Sequence, residues 1–270
     1  MGWGPVGDGH TRTRRKVAAG TWRASRDGRL YGRLAVDATA LLAHLAAARA
    51  ATGERVTVTH AVGKAVALAM RAVPEAHGRL VLGRFVAYPS CAIGFAVDIE
   101  GTDLAPVKVA DADCKSLTEI AAEVRAGADR LRAGEDGDFR TSSRLAAAVP
   151  WFLIRPLLSL AGLLTGGFGL RAFGQPGFPL GSAFVSNVGP FGLDEGLLAP
   201  VPFARVPIYV LVGRVTDAPT VFDGAVVVRP QLVLTFTTDH RIVDGAQAGR
   251  LVAAVRAALL EPGRLDDVRG

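Results

Sequence analysis

The sequence predicts a mixed α+β protein whose strand-rich half lies at the C-terminal end. Three observations carry this. Residues 38–133 are rich in alanine and leucine at helical spacing, with short alternating runs between them. From Gly181 the texture changes to strand-like runs such as residues 232–238, LVLTFTT. Phe222-Asp223-Gly224 then sets an Asp-Gly turn between two such runs, a strong hairpin signal. Half of the 270 residues are hydrophobic and 21% are charged, which excludes a disordered chain, a collagen and a coiled-coil rod.

The elements follow in order. Residues 30–36 (LYGRLAV) alternate as a strand. Asp37 is expected to cap a helix over 38–51, which Thr52-Gly53 ends. Residues 56–72 read as an extended entry and a second helix, closed by Pro74. Short strands are expected at 84–86, 92–98 and 104–109. Ser116 with Glu119 forms a capping box for a helix reaching about Ala133. Residues 134–143 are polar and read as a loop. Strands are expected at 182–186, 206–215, 225–228 and 232–238, and a last helix runs from about Ala246 to Pro262.

Residues 146–170 stand apart. They carry one charge, Arg155, and are long enough to span a bilayer. Pro150, Pro156 and Gly166-Gly167 break the run, and Arg155 sits near its middle, where lipid penalises it. A buried or interfacial helical hairpin is the expectation; membrane-surface contact through 146–170 is the second reading.

The net charge is +6, and only four of the 31 cations are lysines. The excess is thin except over residues 12–33, which hold eight cations and one acid. No long basic stripe with interleaved aromatics occurs, so nucleic acid is not an expected partner. Cys91 and Cys114 cannot build a disulfide framework and have no zinc-ligand spacing, so no metal is expected. Both read as reduced and structural. With no apolar run behind the charged first residues, the expected location is cytoplasmic.

Of five histidines, His10 lies in the N-terminal arm, His44 and His60 sit in helical patterns, and His77 follows Pro74. His240 differs. It ends an alternating strand and precedes a helix, in Asp239-His240-Arg241-Ile242-Val243-Asp244-Gly245. Strand-to-helix turns present side chains at a sheet rim, and imidazole exchanges protons near neutrality. On these grounds His240 is either a general base or a turn histidine held by a neighbouring Asp.

The segment from Asp239 to Gly245 resembles the active-site signature of the dihydrolipoamide acyltransferases, the catalytic core of the 2-oxo acid dehydrogenase complexes. Chloramphenicol acetyltransferase shares the fold and the His-x-x-x-Asp core. Further blocks resemble the family in order and spacing. They are Arg14-Arg15-Lys16-Val17-Ala18, then Ile93 to Asp98, Leu104 to Val107, and Asp111 to Leu117. Phe184 to Gly189 follows, then Val221 to Gly224 with Val228-Arg229-Pro230.

The resemblance implies a chloramphenicol acetyltransferase-like two-layer sandwich, a mixed sheet covered by helices. The catalytic domain would span 14–265, after an arm over 1–13 and before a charged tail over 266–270. An apolar insert over about 144–179 is longer than the family's usual link, and Thr238 stands where an aromatic is common. No lipoyl domain, swinging linker or subunit-binding domain is expected upstream.

The implied chemistry is acyl transfer between a coenzyme A thioester and a thiol such as dihydrolipoamide. The thiol belongs to the substrate. A thiol of pKa about 8.5 gives its proton readily to an imidazole near 6.5. His240 is the implied general base and Ser186 the oxyanion donor, with Asp244 holding the loop through an arginine. Arg14 or Arg15 matches a basic position of the family, and Asn187 and Gly189 read as structural. The resemblance also implies a homotrimer with His240 and Ser186 contributed by different chains. The tail, Leu265 to Gly270, is too charged for the apolar plug that joins trimers into cubic or icosahedral cores. Coenzyme A or acyl-coenzyme A is the expected partner, with a lipoyl group supplied in trans by another protein. Two alternatives stand beside a free-standing acyltransferase: a dehydrogenase-complex core using a lipoyl domain in trans, and an inactive oligomeric scaffold.

Overall fold

The computed structural model describes residues 28–99, 103–138, 141, 149 and 151–268. The expected arm over 1–13, the Arg14–Ala18 block and the start of the insert lie outside the described residues.

Strand β1 (Arg29–Asp37) leads into helix α1 (Thr39–Thr52). The Asp37 carboxylate accepts from the Thr39 backbone N–H at 2.9 Å, so it caps the helix from one position further out than expected. The N-cap position itself is Ala38, without a side-chain bond. Gly53, at φ 70°, ends α1 in the left-handed conformation that only glycine adopts without penalty. Helix α2 (Val58–Ala72) follows, then the hairpin β2 (Gly78–Val81) and β3 (Arg84–Ala87). Strands β4 (Ile93–Ile99) and β5 (Asp103–Val109) precede helix α3 (Leu117–Arg132). Its capping box is as expected, with Ser116 Oγ accepting from the Glu119 N–H and the Glu119 carboxylate from the Ser116 N–H. Gly137, Asp138 and Thr141 are helical, although the polar stretch read as a loop.

The described residues of the apolar insert form helix α4 (Trp151–Gly162), running into a π-turn over Leu163–Gly167. The first part of the expected hairpin, residues 146–148 and 150, lies outside the described residues. The described residues contain no helix long and apolar enough to cross a membrane. Gly162 and Gly166 let this segment lie against the backbone at Phe203, where a Cβ on either would sit 2.6 or 2.7 Å from the Phe203 carbonyl oxygen. Two arginines hold its C-terminal carbonyls. Arg205 donates to the Gly162 carbonyl, and buried Arg79 donates to the Gly167 carbonyl at 2.7 Å. Positive charge belongs at that end of a helix.

Strands β6 (Ala183–Asn187), β7 (Ile208–Val212), β8 (Thr216–Phe222) and β9 (Ala225–Asp239) and helix α5 (Gly245–Leu260) complete the fold. The seven-stranded sheet runs β1-β9-β7-β6-β4-β5, with β8 also on β9. It is mixed: β6 runs parallel to β4 and β7, and the other pairs are antiparallel. Two features were not legible. Strands β2 and β8 went unread, and the runs at 225–228 and 232–238 are one strand through Pro230. Proline is tolerated there because β1 pairs only as far as Gln231. Beyond it, the missing N–H has no ladder partner to leave unsatisfied. The expected turn is present, with Asp223 and Gly224 at φ 49° and 78°.

Helices α1, α2, α3 and α5 cover one face of the sheet, with Leu41, Leu45, Met70, Phe95, Val185, Val210 and Leu234 in the shared core. Gly63 on α2 permits the closest approach: its Cβ would lie 2.3 Å from the Phe95 ring. On the opposite face, a smaller cluster of Leu180, Ala204, Val206 and Tyr209 forms under the segment around Phe203. After α5 the chain turns over Pro262–Asp266 and returns to its own surface. Leu265 is buried, and the fully buried ammonium of Lys64 donates to the carbonyls of Asp113 and Asp267. Cys91 is buried, which pushes its thiol up to about 12, and both cysteines are free.

Candidate active site

His240 begins the turn between β9 and α5. Its backbone N–H donates to the Gly28 carbonyl, and the N–H groups of Ile242 and Val243 both bond to the Asp239 carbonyl. The turn is therefore fixed from both sides. His240 is exposed, and its Nδ1 lies 3.1 Å from the Val243 carbonyl oxygen. A carbonyl can only accept, so Nδ1 is a donor, and in the neutral ring Nε2 is the nitrogen with the lone pair. That is the tautomer a general base needs, with the basic nitrogen turned away from the loop.

Asp244 sits at the N-cap of α5. Its carboxylate accepts from the N–H groups of Ala246 and Gln247 at 2.9 and 3.0 Å, and Gln247 Oε1 accepts from the Asp244 N–H at 2.7 Å. The expected arginine bridge is not found among the described residues. Arg241 makes a two-pronged pair with Asp239 instead. Burial raises the Asp239 carboxyl, but the bonds from Arg241 outweigh it and leave the group below its ordinary value. Asp244 thus anchors the helix start that follows Val243, the residue whose carbonyl orients the imidazole. Arg14 and Arg15 lie outside the described residues.

Ser186 is on β6, buried, and its hydroxyl has no hydrogen-bond partner among the described residues. The strand backbone does not occupy it. It lines a cleft of about 470 Å³ with Thr59, His60, Phe95, Asn187 and Phe191. Asn187 shapes this wall, as expected: its Nδ2 donates to Thr59 Oγ1 at 2.8 Å and its Oδ1 accepts from the Gly189 N–H at 2.8 Å.

The structure does not bring Ser186 and His240 together within one chain. Ser186 is level with Leu211 on β7, and Leu211 with Thr235 on β9. His240 lies five residues further along β9, about 16 Å by strand rise, and two strands across, about 10 Å more. The two candidate residues therefore lie at opposite ends of the sheet of one chain.

His60 lies in the helix its pattern predicted, and it also caps that helix. Its Nδ1 accepts from the Thr57 N–H at 3.2 Å, completing an unusual capping box in which histidine replaces the common Glu or Gln. Burial holds the imidazole down at about 4. The signal was Thr57 followed three residues later by a side chain able to accept. The remaining described histidines are engaged elsewhere, His44 beside Asp266 and His77 stacked on Tyr88. Among the described residues no group of three or more His, Cys, Asp or Glu could hold a metal ion.

Comparison with known proteins places the chain by sequence and fold. The chain is 27% identical over 215 residues to the dihydrolipoyllysine-residue acetyltransferase component of the acetoin cleaving system of Bacillus subtilis (strain 168), covering 79% of this chain and 44% of the relative. The chain thus spans under half the length of that relative. The dihydrolipoamide acetyltransferase of Azotobacter vinelandii superposes with a TM-score of 0.65 at 21% identity, over 97% of this chain and 95% of the other. A serine, a histidine and an asparagine four residues after the histidine have been investigated in that enzyme's catalytic mechanism. Chloramphenicol acetyltransferase superposes with a TM-score of 0.51 at 15% identity, over 91% and 94% of the two chains. The expected two-layer fold is therefore the observed one. The family model described as 2-oxoacid dehydrogenases acyltransferase (catalytic domain) matches residues 10–137 and 178–265, on either side of the apolar insert. With most of its length matched, the chain belongs to that family of acyltransferase catalytic domains.

Proposed function

We propose that the protein transfers an acyl group between a coenzyme A thioester and a thiol of the dihydrolipoamide type. The observation that carries this is the presence in one chain of an oriented imidazole and a serine hydroxyl, each with an open position among the described residues: His240 Nε2 to accept and Ser186 Oγ to donate.

In the reaction, His240 Nε2 takes the proton of the substrate thiol as its sulfur attacks the thioester carbonyl carbon. The carbonyl oxygen becomes an oxyanion and receives the Ser186 hydroxyl hydrogen bond. Collapse breaks the old carbon–sulfur bond, and the leaving thiolate recovers the proton from His240. No enzyme thiol enters, in keeping with the burial and raised pKa of Cys91. Asp244 acts through the fold of the turn. Because the half-sites are separated within a chain, the working site is completed by a second chain, as in a homotrimer. The exposed side chains of Val221, Val226 and Val228 on the β8–β9 hairpin suit such a contact.

The names of the relatives favour lipoyl-bearing proteins as the source of the acceptor thiol in trans, which makes a role inside a dehydrogenase complex the second reading. Intact His240, Ser186 and Asp244 weigh against an inactive scaffold. The test is thiol release from a panel of acyl-coenzyme A donors, with and without free dihydrolipoamide, for the wild type and His240→Ala. Dihydrolipoamide-dependent release that His240→Ala abolishes in a folded protein supports the reading. Equal turnover by the two proteins overturns it.

A further inference from the structure

The serine-side cleft contains a second hydrogen-bond donor that the mechanism above does not use. His60 stands on the first turn of α2 and lines the same cleft as Ser186. Its Nδ1 is committed as an acceptor, because the Thr57 backbone N–H can only donate to it. The ring proton must then sit on Nε2. That nitrogen has no partner among the described residues, and the half-buried ring lines the cleft edge-on to Phe95 at a centroid distance of 6.0 Å. A helix cap alone does not call for a histidine here, since Glu or Gln at this position caps equally well without turning a ring N–H donor to the cleft.

We propose that His60 is a substrate-binding residue, its Nε2–H donating to a carbonyl oxygen of the thioester substrate held in the cleft beside Ser186. The proposal rests on the acyl-transfer reading for the identity of the ligand. The ring suits the task chemically. Desolvation keeps it neutral at about 4 against the opposing pull of Glu54, with Arg49 and Arg55 acting in the same sense as burial. It therefore presents one fixed donor and no net charge, which matches a neutral carbonyl rather than a phosphate. Two parts of the substrate offer that acceptor: the amide carbonyls of a pantetheine-like arm, and an oxygen on the acyl chain.

The test compares His60→Gln, His60→Glu and the wild type. Both variants keep an acceptor for the Thr57 N–H and so keep the cap, but only Gln keeps a donor. Calorimetry with pantetheine, which has no phosphate to be repelled by Glu, reads the arm. Turnover with acetoacetyl-coenzyme A against butyryl-coenzyme A reads the acyl chain. The expected result is about a tenfold loss of pantetheine affinity, or of kcat/KM for acetoacetyl-coenzyme A alone, in His60→Glu, with most of it restored in His60→Gln. Loss on pantetheine assigns the acceptor to the arm; loss confined to acetoacetyl-coenzyme A assigns it to the acyl chain. A folded His60→Glu that binds and turns over all of these like the wild type overturns the proposal while leaving the acyl-transfer reading standing. Wild-type protein that neither binds pantetheine nor turns over either thioester overturns both. Nitrogen-15 spectra of His60 give an independent check: a proton found on Nδ1 sinks the geometry at once.

Discussion

Ser186 and His240 lie on one sheet but at opposite ends of it, five residues of strand and two strands apart. No rotamer of either side chain closes that gap.

Mixed oligomers test the consequence. His240→Ala and Ser186→Ala should each be strongly impaired alone, the serine variant by about 100–1000-fold. Assembled together from equal amounts of unfolded chains, they should recover about a quarter of wild-type activity, since a quarter of the contacts unite an intact His240 with an intact Ser186. Activity no greater than that of the separate variants would mean that the two residues do not share a site across chains.

Asp244 should separate folding from chemistry. Asp244→Asn retains an N-cap acceptor and is expected to keep nearly full stability. Asp244→Ala loses the bonds to Ala246 and Gln247 and should cost about 1 kcal/mol in denaturant unfolding. Because the residue next to Val243 then loosens, Asp244→Ala should also lower kcat more than it raises KM. An unchanged kcat would detach the cap from the orientation of His240.

Stability should depend on pH through His60. Its folded pKa is about 4, against 6.5 for the free side chain. Between those values the unfolded chain binds more protons, so stability rises with pH across the window and is lost as pH falls from 6.5 toward 4. The full span is at most about 3 kcal/mol. His77, also lowered by burial, acts in the same direction. Urea midpoints between pH 4 and 7 should show this slope, and His60→Gln should flatten it. A wild-type curve with no slope there would contradict the burial of the ring.

Lys64 ties the C-terminal segment to the fold. Its ammonium donates to the carbonyls of Asp113 and Asp267 at 2.7 Å each, while Arg71 lies 3.9 and 3.8 Å from the carboxylates of the same two residues. Burial lowers the lysine, with Arg71 pushing the same way and the aspartates opposing. Lys64→Met should destabilise by about 2–4 kcal/mol and expose the end of the chain to proteolysis. Wild-type resistance to carboxypeptidase in that variant would show that other contacts hold the tail.

Local patterns in the sequence determined much of this protein. The helix over 117–132 follows from Ser116 and Glu119, the β8–β9 turn from Asp223-Gly224, and His240 at a strand-to-helix turn from the alternation before it and the helical spacing after it. Each is a short-range preference that a few neighbouring residues satisfy among themselves. Other features had no local signal. The continuity of β9 through Pro230 depends on where β1 stops, and the seating of α4 depends on two glycines meeting Phe203 and two arginines reaching the carbonyls of Gly162 and Gly167. His60 read as an ordinary helical histidine until packing placed it beside Ser186. The separation of Ser186 from His240, which the family resemblance implied, likewise has no local signal. Strand order and register arise from contacts between residues far apart in the chain, and only the folded sheet decides which of them share an end.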